Sequence, residues 1–130
     1  MAQIWAFKWF SPEEMRCKCG CGRADMDHGF MGKLDSVRGL CGFPLPIASG
    51  FRCHGHDLAL GGSGTGAHPQ GMGSDIAVHG PQARILVKHA MVEGITSIGI
   101  MQHGPTEKQF IHLDDCGARF NPYRQMMWSY

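Results

Sequence analysis

The chain has 130 residues, with 12 Lys and Arg against 11 Asp and Glu, for a formal net charge of +1. That balance, without a basic run, excludes the electrostatic footprint of a nucleic-acid binder, and 43% hydrophobic residues exclude intrinsic disorder. No apolar run approaches the ~20 residues a bilayer span needs, and 19 glycines with 7 prolines predict a loop-rich chain forming one domain over residues 1–130.

The amino end lacks a basic segment followed by an apolar stretch and a small-residue cleavage site, so synthesis in a cytoplasm without a signal peptide is expected. Ser11-Pro12-Glu13-Glu14 predicts a short helix: Ser11 caps, Pro12 suits the first turn, Glu14 completes a capping box, and Phe10 with Met15 forms a hydrophobic staple. Asp27 opens a longer helix carrying Phe30, Met31, Leu34, Val37 and Leu40 at helical spacing, and Gly42 stops it. Pro44 to Ser49 reads as a strand, His56 to Leu60 as a helical turn, and the glycine-rich stretch 61–66 as a loop. Asp75 to Val78 reads as a buried strand. Pro81 to Glu93 reads as an amphipathic helix with Ala83, Leu86, Val87, Ala90 and Met91 on one side. Thr96 to Met101 and Phe110 to Asp114 read as a hairpin joined through His103-Gly104-Pro105. The tail from Cys116 to Tyr130 carries Phe120, Tyr123 and Trp128 and is expected to dock, while Trp5 and Trp9 are expected to cover the sheet. The sum is an α+β fold, a small mostly antiparallel sheet packed with helices.

Six cysteines are many for this length. Cys17, Cys19 and Cys21 alternate with Lys18 and Gly20, while Cys41, Cys53 and Cys116 stand alone. Three readings stay open: reduced thiols, a disulfide from the Cys17-to-Cys21 loop to Cys53, or a structural zinc on these thiolates. A paired CxxC knuckle is absent, and thiols at alternating positions cannot all bridge one another without strain.

The chemistry concentrates in two segments. His68 is followed seven residues later by Asp75, and His112 lies inside the strand Phe110-Ile111-His112-Leu113-Asp114. Two neutral imidazoles and a carboxylate suit Zn²⁺ and leave a fourth position for water, whose pKa zinc lowers to roughly 7. Gly71 and Gly73 allow the tight turn that lets one segment present both His68 and Asp75. Strand alternation sends His112 and Asp114 to one face and Ile111 and Leu113 to the core. His54 and His56, beside Arg52, are read as loop residues, and the nine methionines as core filling.

Ser49-Gly50-Phe51-Arg52, Gly61-Gly62, His68-x-x-Gly71-x-Gly73-x-Asp75, Ile98-Gly99-Ile100 and Phe110-Ile111-His112-Leu113-Asp114 together resemble the zinc D-Ala-D-Ala carboxypeptidase family. That family includes vancomycin-resistance D,D-dipeptidases, phage endolysins and the hedgehog amino-terminal domain. The resemblance runs over roughly residues 8 to 116, and Phe10-Ser11-Pro12-Glu13-Glu14 with Cys17-Lys18-Cys19-Gly20-Cys21-Gly22 is similar to small phage and prophage members. It implies a zinc site on the sheet face with His68, Asp75 and His112 as ligands. It also implies Arg52 as the substrate-holding arginine, a fork that can grip a carboxylate in two parallel bonds.

Two departures bear on mechanism. Gly66 stands where many relatives carry serine, and Gln109 stands where many carry the acidic or histidine general base. Asp114 is then expected either to move the proton of the attacking water or to orient a ligand histidine, with Glu107 and His103 in reserve. The implied activity is hydrolysis of an amide in peptidoglycan stem peptides by a monomeric, endolysin-like enzyme released through a separate holin. A non-catalytic zinc-binding module is the competing class, and a redox or metal-sensing cysteine centre is a third.

Overall fold

The structure is a computed structural model and describes residues 4–119 and 122–130. Ser11 and Glu14 form the expected capping box on a single 3₁₀ turn, Pro12–Met15, with Phe10 and Met15 both buried. Helix α1 spans His28–Cys41; the Asp27 side chain accepts from the Phe30 N–H, and Gly42 ends the helix with φ of 75°. Four apolar side chains of α1, Phe30, Met31, Leu34 and Val37, are fully buried. Leu40, on the predicted stripe, is instead 51% exposed at the helix end. Helix α2 is short, His54–Ala59. Helix α3 runs Gly80–Val92, buries Ala83, Leu86 and Ala90, and packs on α1 and the sheet. Met91, placed on the same face by spacing, is exposed.

Five strands form one sheet: β1 Ile47–Ser49, β2 Gly73–Ile76, β3 Ser97–Met101, β4 Phe110–Asp114 and β5 Met127–Ser129. Their order is β1-β2-β4-β3-β5. The first three pairings are antiparallel, and β5 adds to β3 in parallel. The tail therefore docks as a strand, beyond the short helix α4 (Cys116–Arg119) and a 3₁₀ turn at Pro122–Arg124. Phe120, expected to help that docking, lies outside the described residues. A second 3₁₀ turn, Thr106–Lys108, lies within the β3–β4 connection.

Ile76, Ile98, Ile111 and Leu113 turn to one side of the sheet and join the α1 and α3 side chains in the main core. Trp5 and Trp9, expected to cover the sheet, instead meet α1, the Trp5 ring lying 6.1 Å from that of His28. The Trp9 N–H donates to Asp35 at 2.8 Å, and the Arg38 guanidinium lies 4.2 Å from its ring centroid. No helix among the described residues is long and apolar enough to cross a membrane.

Candidate metal centre

The pairing register lines up one row of residues across the whole sheet: Ser49, Asp75, His112, Gly99 and Trp128. Since facing positions share a side of a sheet, Asp75 and His112 meet on the face away from the core. His112 Nδ1 lies 2.8 Å from Asp75 Oδ1. His68 arrives from the turn before β2, with its Nε2 3.5 Å from Asp75 Oδ2, and its ring centroid lies 5.3 Å from that of His112. That turn needs Gly71, whose φ is +68° and where an added Cβ would come within 2.0 Å of the Asp25 carbonyl oxygen.

Each histidine is tied at its other nitrogen. His68 Nδ1 donates to the Gly50 carbonyl at 2.7 Å, and His112 Nε2 lies 2.7 Å from Asp114 Oδ2. These ties turn His68 Nε2 and His112 Nδ1 toward Asp75. One ligand atom from each of His68, Asp75 and His112 lies within 4.8 Å of the others. Two imidazoles and a carboxylate, backed in this way, fit a single zinc ion.

Burial disfavours the charge on Asp75, but hydrogen bonds from His112 and His68 outweigh it and hold the carboxyl well below the usual range. Burial likewise opposes protonation of His112, yet Asp114 and Asp75 on its two sides raise its pKa in the metal-free protein.

Arg52 stands at the edge of this group. Its Nε donates to Ser49 Oγ at 3.2 Å, its Nη1 to Asp57 Oδ1 at 3.1 Å, and its Nη2 lies 3.5 Å from Asp75 Oδ2. A guanidinium carries five donors, so both terminal nitrogens keep a hydrogen to offer.

Asp114 occupies a different place from a proton shuttle. It is 0% exposed and sits behind the His112 ring, at the nitrogen opposite the one that faces Asp75. Its Oδ1 accepts from the Cys116 N–H and its Oδ2 from Arg124 Nη2 at 2.8 Å and Nε at 3.2 Å. So enclosed, the carboxylate lies on the side of the His112 ring away from Asp75, a placement suited to the ligand-orienting role. Gln109 donates its side-chain amide to the Gly104 carbonyl, whereas Glu107 and His103 are exposed on the β3–β4 connection.

Three participants escaped sequence reasoning. Asp57, buried in α2, fixes Arg52 and also accepts from the Gly64 N–H; His54 and His56 lie on that helix rather than in a loop. Arg124 neutralises Asp114. Trp128 packs 5.6 Å from the His112 ring. Only the aromatic richness of the tail hinted at any of them.

A sheet face carrying two histidines and an aspartate in this arrangement defines a candidate mononuclear zinc hydrolase. The family model described as Peptidase M15 matches residues 8–114, and the chain belongs to that family. Peptidase M15 enzymes are zinc-dependent, which places the protein among the zinc metallopeptidases with a peptide as substrate. A search of the curated proteins finds no match.

Proposed function

We propose that the protein hydrolyses an amide bond in the peptide stems of bacterial peptidoglycan, as an endolysin-like carboxypeptidase or endopeptidase. The observation that carries this reading is the convergence of His68 Nε2, the Asp75 carboxylate and His112 Nδ1, with Arg52 held beside them. His68, Asp75 and His112 would hold the zinc. When bound, zinc supplies a Lewis acid that polarises a carbonyl and acidifies water.

The chain's own residues do the rest. Arg52, braced by Ser49 and Asp57, offers the hydrogens of its planar fork to a substrate carbonyl or carboxylate. Gly50 and Asp114 orient the two imidazoles. Hydrolysis also needs a proton taken from the attacking water and given to the leaving amine. We assign that transfer to the β3–β4 connection, where Glu107 and His103 stand exposed and Gln109 has no basic atom.

Gln109 also favours a second reading, a non-catalytic zinc-binding module of the same fold. Digestion of purified peptidoglycan with the native chain and with His68→Ala separates the two. New amino ends released by the native chain alone, with the cleaved bond identified by mass spectrometry, support the peptidase. Native zinc-loaded protein that releases no product from any stem-peptide type supports the binding module.

A further inference from the structure

A second group of ligand-type side chains lies away from the sheet face. The sulfurs of Cys17, Cys19, Cys21 and Cys53 all lie within 4.8 Å of one another. Cys19 Sγ is 3.5 Å from Cys17 Sγ and 3.6 Å from Cys53 Sγ. Four thiolates around zinc, with bonds of about 2.3 Å, have sulfur-to-sulfur edges of roughly 3.8 Å. The two Cys19 separations are close to that edge, and Cys19 is nearly equidistant from both partners, so no single pair is singled out for a disulfide.

We propose that these four cysteines form a second, structural zinc site that clamps the amino-terminal segment to the turn carrying Arg52. The loop is shaped for it. The Cys17 N–H donates to the Arg23 carbonyl at 2.7 Å, closing the stretch between them, and Gly20 and Gly22 take φ of 92° and 79° to turn it back. The fourth cysteine comes from the start of α2, and its N–H already donates to Cys17 Sγ at 3.3 Å. A backbone bond from the Phe51 N–H to the Met15 carbonyl at 2.9 Å runs alongside.

The site adjoins the catalytic machinery through one peptide link, because Arg52 immediately precedes Cys53. The clamp would hold the Arg52 turn against the Met15 turn, and it stands whether or not the sheet-face centre is catalytic.

The test is metal content of the full chain, measured by mass spectrometry with zinc supplied during expression. Two zinc ions per chain are expected, with one retained by the His68→Ala/His112→Ala double variant and one by the Cys19→Ser/Cys21→Ser double variant. Because the cysteine variant can fail to fold, the unmutated protein is also reconstituted with cobalt. An intense thiolate-to-cobalt charge-transfer absorption that persists in the histidine double variant supports the site. Absence of that absorption overturns the proposal, as does a disulfide among the four cysteines in metal-replete protein.

Discussion

His112 is gripped at both ring nitrogens, and each contact has a measurable consequence. Asp114 is spent on the far side of the ring, so its proposed role is to position the ligand. Asp114→Asn is expected to weaken zinc affinity by ~10–100-fold, read by competition against a chromogenic chelator. Unchanged affinity with a collapsed kcat would return the proton-transfer role to Asp114. Arg52→Lys keeps the charge but loses the planar fork braced between Ser49 and Asp57. A lower kcat/KM is expected, and kinetics equal to the native protein would reduce Arg52 to scaffolding. The pH response follows from His112, whose pKa in the metal-free protein is raised by Asp114 and Asp75 against the opposing effect of burial. A raised folded-state value contributes stability that is complete below the ordinary histidine pKa of roughly 6.5 and is lost as pH rises through the raised value. In the presence of a chelator, Tm is therefore expected to fall over that rise. Zinc affinity should climb over the same range, because the ligand must be neutral. A flat Tm profile by calorimetry with chelator present would contradict the placement of His112 between two carboxylates.

At the scale of elements, the row Ser49-Asp75-His112-Gly99-Trp128 explains why β3 carries a glycine opposite His112. A Cβ at position 99 would come within 2.8 Å of the Trp128 ring, which leans over the gap to reach His112. Gly99→Ala is expected to cost ~1–3 kcal/mol through this overpacking and to loosen β5, as read by denaturant unfolding. Stability within error of the native protein would show that Trp128 is not held there. Most elements were legible because their signals are local. Asp27 and Gly42 bracket α1 through capping chemistry, and Ile111 and Leu113 set the face of β4 by alternation. The β5 strand was not legible, since Met127-Trp128-Ser129 is too short to show a period and its parallel partner is distant in the chain. Leu40 and Met91 have the spacing of core residues but sit exposed in the last turns of α1 and α3. Neither fact is encoded locally.

Taken as a molecule, the fold packs α1, α3 and the main apolar cluster on one side of the sheet and gathers the candidate ligands on the other. The candidate ligands were legible because their spacing and glycine pattern carry a family resemblance, which the Peptidase M15 match supports over residues 8–114. The supports were not. Asp57 is one acid in an irregular stretch, and Arg124 reaches Asp114 only through the path of the tail. The alternating cysteines pointed to Cys53 as one candidate partner, and folding brings all four sulfurs together. One zinc ion is expected among His68, Asp75 and His112, with the fourth position left to a group that is not from the protein. Anomalous diffraction at the zinc edge from crystals grown with zinc tests it most directly. A strong peak bounded by His68 Nε2, the Asp75 carboxylate and His112 Nδ1, with its remaining ligand not from the protein, is the expected result. No peak there, or a fourth protein side chain closing the shell, would contradict the account.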